Sequence, residues 1–321
     1  MKILVDLKYN SYIEKKVREI RKTHPQVEVY TDVDRAPIGE IELFLGGLIP
    51  TEVLEEARRL KMILVAFTGV NHLPLGRLRD HGIRVVNTHA NSFYVAEHAV
   101  GMLLSLMGRI TEYHWDLKQE RWHGFWIGAG LEDGWTSLRG KSVAVLGTGG
   151  IGIECARLLA PFGGPLLGYR RTPGDLPPFH TVSADLDGVL DQAEVVIVTL
   201  PLTSETRGLI NAERLSRMEG KILVNVGRGP VVEEEALYKA LSEGILAGAA
   251  LDTWYTYPEG QTTGAPSRFP IHHLKNVLLS PHVGGFTREA LRANIDDSFN
   301  NLDLYLSGEP LTSEVSLEEE Y

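Results

Sequence analysis

Residues Ser142-Val143-Ala144-Val145-Leu146 lead directly into Gly147-Thr148-Gly149-Gly150-Ile151-Gly152. The second stretch fits the pattern G-x-G-x-x-G. With 33 glycines in 321 residues, about 0.3 accidental matches are expected, so the surroundings must decide. An apolar strand precedes the glycines, and the helix-prone Ile153-Glu154-Cys155-Ala156-Arg157-Leu158-Leu159 follows them. In such a strand–turn–helix unit the first glycine permits the tight turn. The second lets the backbone approach a pyrophosphate, and the third lets helix pack on strand. Phosphate oxygens then meet the free N–H groups and positive dipole end of the helix. Gly147, Thr148, Gly149, Gly150, Ile151 and Gly152 are therefore read as a dinucleotide cradle.

The next strand, Leu166–Tyr169, ends where the adenosine ribose is met. An acid there favours NAD, whereas arginine accepts the extra phosphate of NADP. Here the position is Arg170, followed by Arg171 and Thr172. Two guanidinium forks and a hydroxyl suit a phosphate dianion, so NADP is favoured over NAD.

Outward from this unit, short apolar runs alternate with amphipathic stretches, the signature of α/β units on a mainly parallel sheet. Strands are expected at Ile3–Val5, Val27–Tyr30, Ile41–Leu45, Met62–Phe67 and Arg84–Asn87, and again at Ser142–Leu146, Val195–Leu200, Ile222–Val226, Ala247–Leu251 and Val277–Leu279. Helices are expected at Tyr12–Thr23, Thr51–Leu60, Val95–Glu112, Glu233–Glu243 and Arg288–Leu306. Trp122–Gly130, rich in glycine and aromatics, reads as a connector. The tail Glu318-Glu319-Glu320-Tyr321 reads as solvated.

The length favours two domains. A net charge of −10 gives no electrostatic reason to bind nucleic acid or an anionic membrane, so an anionic ligand must be held by local positive groups. The one cysteine, Cys155, excludes an internal disulfide and a cysteine-based zinc site, and its helical setting reads as a packed thiol. Met1–Asp6 reads as a first strand rather than a signal peptide. No run approaches the roughly 18 apolar residues of a membrane span, so a cytoplasmic protein is expected.

Two stretches at strand ends carry chemistry. In Asn225-Val226-Gly227-Arg228-Gly229-Pro230 an arginine between glycines presents its fork with little crowding, suited to a carboxylate and an adjacent carbonyl. In Leu278-Leu279-Ser280-Pro281-His282-Val283-Gly284-Gly285 the histidine is the side chain suited to proton exchange near neutrality. Reducing a ketone by hydride needs one proton for the new alkoxide, which His282 can supply. His72, His81, His89, His98, His272 and His273 read as structural or exposed.

These segments, with Val198–Thr203, Ala249–Asp252, Gly69–Asn71, Asn87–Thr88 and Val95–Ala99, occur in the order seen in D-2-hydroxyacid dehydrogenases, which the chain resembles over nearly its whole length. The resemblance implies two Rossmann-like doubly wound domains, with the cofactor domain (95–286) inserted into a flavodoxin-like substrate domain (1–94 and 287–321). It implies a homodimer, and a small 2-keto or 2-hydroxy acid as substrate, such as glyoxylate, hydroxypyruvate or a bulkier 2-keto acid. By matching positions Arg228 is the carboxylate-binding arginine and His282 the acid/base. Backbone around Gly46, Gly47, Leu48, Thr68 and Gly69 also lies near the substrate carboxylate. Leu200, Pro201, Val226, Gly227, Asp252, Gly284 and Gly285 fall to the cofactor.

One position departs from the family. A glutamate usually stands beside the histidine, where its charge favours imidazolium. The ungapped match puts Tyr257 in that slot, with Glu259 two residues on. Either Glu259 swings in to pair with His282, or Tyr257 offers only a neutral hydroxyl; the ungapped match favours the tyrosine. A formate dehydrogenase, suggested by Asn91-Ser92 before Val95–His98, would carry glutamine in the slot. A nicotinamide-sensing, corepressor-like protein without turnover is a reading from another class, since a fold alone does not fix function.

Overall fold

The computed structural model describes every residue except 9, 123–133 and 259. The chain divides into two compact units, Met1–Asn91 with Arg288–Tyr321, and Ser92–Thr287.

The first unit holds a parallel sheet of β1 (Lys2–Asp6), β2 (Glu28–Tyr30), β3 (Leu43–Gly46), β4 (Met62–Val65) and β5 (Arg84–Val86) in the order β2-β1-β3-β4-β5. That order is flavodoxin-like, and its direction reverses between β1 and β3, where an open sheet leaves a crevice at the strand ends. Because side chains alternate along a strand, Ile3, Val5, Leu43 and Leu45 face α1 (Ser11–Thr23) and the C-terminal α10 (Arg288–Ser307) through Ile13, Val17, Ile20, Phe299 and Leu302. Leu4 and Phe44 face the other way, toward Val53 of α2 (Thr51–Glu56) and Leu78 of α3 (Leu75–Asp80).

The second unit holds seven parallel strands: β6 (Val143–Leu146), β7 (Leu166–Tyr169), β8 (Thr181–Ser183), β9 (Val195–Val198), β10 (Ile222–Asn225), β11 (Gly248–Leu251) and β12 (Val277–Leu279). Their order is β12-β11-β10-β9-β6-β7-β8, so the reversal falls between β6 and β9. One face is covered by α4 (Ser92–Met107) and α6 (Gly150–Leu159), whose Ala96, Ala99, Leu103, Cys155 and Ala156 meet Val143, Val145, Val195 and Ile197. The other face is covered by α7 (Leu186–Gln192), α8 (Ala212–Ser216) and α9 (Glu234–Ser242). Burial pushes the Cys155 thiol up to about 12, as befits a packed, inert side chain.

Several boundaries differ from the sequence reading. The helix read as Val95–Glu112 is two: α4 ends at Met107, and Arg109, in the left-handed region at φ 50°, turns the chain into α5 (Ile110–Lys118). The break is local, because Arg109 leaves the helical well while neighbouring propensities stay helical. The strands read as running to Phe67, Asn87, Leu200 and Val226 stop earlier, at Val65, Val86, Val198 and Asn225. Thr51–Leu60 stops at Glu56, where Leu60 N–H closes a turn on the Ala57 carbonyl. Ser92–Tyr94, read with the first domain, belong to α4 and so to the second unit; Thr287 likewise joins it. The acidic tail is largely exposed, as read, and is also tied down: Ser316 and Tyr321 exchange backbone hydrogen bonds and the Tyr321 ring lies 5.7 Å from that of His89. All but Trp122 of the Trp122–Gly130 connector lies outside the described residues.

Leu103 is fully buried in the α4 layer. Leu103→Ala is expected to cost about 2–5 kcal/mol through lost transfer energy and a residual cavity, read as a lower urea midpoint for this unit. A loss below about 1 kcal/mol would contradict this packing.

Candidate active site

The turn after β6 is built by close approach. A Cβ on Gly152 would lie 2.0 Å from the Gly147 carbonyl oxygen, so only glycine lets α6 start against the strand. Gly147 itself has φ 103°, and its N–H donates to the Tyr169 carbonyl at 3.0 Å. Across the reversal point the Thr199 hydroxyl donates to the Gly147 carbonyl at 2.7 Å, tying the end of β9 to the turn. A Cβ on Gly149 would meet nothing within 4 Å. A cradle with open space over its second glycine and a helix N-terminus behind fits a dinucleotide pyrophosphate.

At the end of β7, Arg170, Arg171 and Thr172 are all exposed. The Arg171 guanidinium lies 3.7 Å from the Glu205 carboxylate, an exposed pair of little intrinsic strength. No acid stands at 170–172 to meet a ribose hydroxyl.

The loop after β10 is organised by Asn225, whose side-chain oxygen accepts from Gly227 N–H at 3.1 Å while its amide donates to the Arg228 carbonyl at 3.1 Å. A Cβ on Gly229 would lie 2.3 Å from the Trp254 carbonyl oxygen, which presses the loop against the chain that follows β11. Arg228 is half-buried, and its guanidinium donates to the Gly227 carbonyl at 2.7 Å.

His282 sits at φ 59°, a left-handed conformation that a non-glycine residue adopts only when its surroundings hold it there. Asp252 provides that hold. Its side chain is 2% exposed. One carboxylate oxygen accepts from the Ser280 hydroxyl at 2.5 Å and Val283 N–H at 2.9 Å, and the other accepts from Gly284 N–H at 3.0 Å. The donors come from both sides of His282. The Trp254 indole N–H adds a 2.8 Å bond to the Ser280 carbonyl, and His98 Nε2 of α4 lies 2.9 Å from the Ser280 hydroxyl oxygen. Burial by itself would raise the Asp252 pKa; the hydrogen bonds of Ser280, Val283 and Gly284, with the His98 imidazole 3.6 Å away, outweigh it and hold the carboxyl at about 2. Asp252, read from the sequence as a cofactor contact, is thus first a clamp on the histidine loop.

Tyr257 is brought against His282, but ring to ring, with centroids 5.4 Å apart. Its hydroxyl accepts from Trp254 N–H at 3.1 Å, so the tyrosine that the ungapped match puts in this slot stands beside the imidazole as a neutral group. Burial raises the Tyr257 pKa above the ordinary phenol value, so the group stays neutral near pH 7. Glu259 lies outside the described residues. Among the described residues, no carboxylate hydrogen-bonds the His282 ring. Burial lowers the His282 pKa below its ordinary 6.5, Arg228 lowers it further, and the Asp252 charge opposes them.

In the first unit, Gly46 ends β3 and Leu48 is exposed. The Thr68 hydroxyl donates to the Asn91 side-chain oxygen at 3.0 Å, and the Asn87 amide donates to the Thr68 carbonyl at 2.7 Å. The residues missed by sequence reasoning are Ser280, Trp254, Thr199 and Asn225, together with His98, which reads as merely structural. Ser280 lies inside the quoted histidine segment, but a lone hydroxyl there carries no signal of its partner on another strand.

The model for the D-isomer-specific 2-hydroxyacid dehydrogenase NAD-binding domain matches residues 100–284. The chain belongs to this family. The dehydrogenase is 35% identical to a glyoxylate reductase of Thermofilum pendens, over 83% of this chain and 77% of the relative. It is 30% identical to a glyoxylate/hydroxypyruvate reductase of Arabidopsis thaliana over 91% of this chain and 90% of the relative. Among solved structures it is similar to an NADPH-dependent glyoxylate/hydroxypyruvate reductase from Sinorhizobium meliloti in complex with NADP and malonate, at 27% identity, with 99% of this chain and 97% of that one covered and a TM-score of 0.76. The dehydrogenase is a nicotinamide-dependent oxidoreductase of a small 2-keto or 2-hydroxy acid.

Because the Asp252 pKa is lowered from 3.8 to about 2, its ionised form stabilises the fold above pH 4, and that contribution is lost as pH falls from 3.8 toward 2. Asp252→Asn is expected to cost about 2 kcal/mol at pH 7. The gap to the native chain, followed by urea unfolding, closes toward pH 2.5. An equal gap at both pH values would contradict the clamp's ionic character.

Proposed function

We propose that this dehydrogenase reduces glyoxylate, hydroxypyruvate or a similar 2-keto acid to the D-2-hydroxy acid with NADPH. The observation that carries this reading is the placing of Arg228, after β10, and His282, after β12, on either side of the β11 end, close enough that the guanidinium acts on the imidazole's proton affinity. A nicotinamide dinucleotide bound on the Gly147–Gly152 turn supplies the hydride. Gly149 and Gly150 would hold its pyrophosphate, with Leu200, Pro201, Val226, Gly227 and Gly285 lining the site, and Arg170, Arg171 and Thr172 would hold the 2′-phosphate of NADPH.

In this reading Arg228 grips the substrate carboxylate through its fork and polarises the keto oxygen. The imidazolium of His282 gives its proton to that oxygen as the alkoxide forms, and takes one back in the oxidative direction. Tyr257 packs on the imidazole and keeps it from rotating, without adding charge. The exposed Ile110, Trp115 and Leu117 of α5, with Trp135, support a homodimer. Among the described residues no helix is long and apolar enough to cross a membrane, and we place the enzyme in the cytoplasm.

Initial rates with glyoxylate, hydroxypyruvate and phenylpyruvate, measured with NADPH and NADH in parallel, test the reading. Faster NADPH oxidation is expected, and Arg171→Ala is expected to cost NADPH about tenfold in kcat/KM while leaving NADH nearly unchanged. Turnover of formate with none of the keto acids would overturn the substrate assignment. Reduction needs the protonated imidazole, whose pKa lies below 6.5. Its kcat/KM therefore falls as pH rises through that depressed value. Tyr257→Glu places a negative charge beside the ring and is expected to move the fall upward by about one pH unit, so the rate at pH 7.5 rises. An unmoved profile would show that the slot does not govern His282.

A further inference from the structure

His98 lies on α4, away from the loops that carry Arg228 and His282, yet its Nε2 is 2.9 Å from the Ser280 hydroxyl oxygen and 3.6 Å from the Asp252 carboxylate. The Ser280 hydroxyl carries one proton. At 2.5 Å from an ionised, buried carboxylate it donates that proton to Asp252, and therefore accepts from the imidazole. The imidazole thus carries its hydrogen on Nε2. The chain of donors is directional: His98 to Ser280 to Asp252. The second link lies between buried groups, Ser280 and Asp252, where such a chain strengthens its members. Without the first link the hydroxyl is free to swing, and Asp252 loses the anchor on the near side of Pro281-His282. The far-side anchors, Val283 and Gly284 N–H, are backbone donors and cannot compensate, because they sit beyond the strained residue.

We infer that His98 is a positioning residue for the reaction: acting through Ser280 and Asp252, it fixes the strained backbone of His282 and the distance of the Asp252 charge from its ring. This goes beyond the proposed function and rests on it for the identity of His282 as proton donor. His98 also lines a cavity of about 410 Å³ with Tyr94, Glu97, Met102, Val283 and Gly284, so its ring is reachable from solvent while its Nε2 edge is committed. The charged and titratable groups that bear on His282 are Arg228, after β10, Asp252, at the end of β11, and Tyr257. Only Asp252 is linked to His98.

The test compares His98→Leu, His98→Gln, Ser280→Ala and the double variant His98→Leu/Ser280→Ala in the full-length protein, with thermal unfolding to confirm folding. His98→Leu and Ser280→Ala are each expected to lower kcat by about tenfold and to shift the pH profile of reduction to lower pH. NADPH affinity, read by fluorescence titration, is expected to stay within about twofold, since the cradle is untouched. His98→Gln keeps a side-chain donor of similar reach and is expected to recover kcat to within about threefold of the native chain. The double variant is expected to be no worse than the poorer single one, because both cut the same chain. Native kcat and pH profile in His98→Leu, or fully additive losses in the double variant, would overturn the inference. An NMR titration of the His282 ring in the native chain and in His98→Leu needs no turnover. A displaced midpoint there supports the inference even if no 2-keto acid is reduced, and an unmoved midpoint sinks it whatever the enzyme's substrate.

Discussion

The Asp252 carboxylate is the interaction on which the site depends. A buried charge is costly unless its oxygens are saturated with donors, and here hydroxyl and backbone donors from 280, 283 and 284 saturate them. That arrangement does two things at once. It holds His282 in a left-handed conformation the residue would not otherwise keep, and it sets a fixed negative charge near an imidazole that lacks any other described acid. The geometry of the histidine and the one described negative charge that favours its proton thus come from one group, just past β11, held by donors from the segment that follows β12. The strain at φ 59° is therefore supported from both sides of the residue rather than absorbed by it.

The same economy appears at the reversal of strand order. In the second unit β6 and β9 stay paired to their carboxyl ends, and the Thr199 hydroxyl bridges to the Gly147 carbonyl where the strand order reverses. The crevice is thereby a consequence of topology, while its rigidity is a consequence of one side-chain bond. The loop of Arg228 follows the same logic: Asn225 satisfies its backbone, and Gly229 lets it press on the Trp254 carbonyl, so the guanidinium leaves a fixed base.

What was legible in the sequence and what was not divides along physical lines. The Gly147–Gly152 turn is legible because a covalent pattern, glycine at set offsets between strand and helix, has one steric solution. Continuous burial along β6 and β9 is equally legible, because a sheet covered on both faces asks for unbroken apolar runs. The break at Arg109 is not, since it is one residue's backbone angle between two helical stretches. Strand β8 is not, being three residues long at the sheet edge with little burial to pattern it. The fate of the Tyr257 hydroxyl depends on where Trp254 N–H points, and the value of His98 on a serine 182 positions away. Both are tertiary facts, and no local spacing encodes them.

The electrostatics of the site also bear on how an acidic chain handles an acidic substrate. The global charge of −10 repels a keto acid, so attraction must come from a few local cations, with Arg228 foremost on the proposed reading. The same guanidinium depresses the proton affinity of His282, and Asp252 alone among the described acids opposes it. Once a substrate carboxylate forms its bidentate pair with Arg228, the guanidinium's field at the imidazole is largely neutralised, because paired opposite charges act at a distance as a weak dipole. The Asp252 charge then acts with less opposition, and His282 binds its proton more tightly. On that reading the histidine is charged for reduction by the arrival of the molecule to be reduced, and the glutamate usual elsewhere in the family is replaced in part by a response of the remaining charges to substrate.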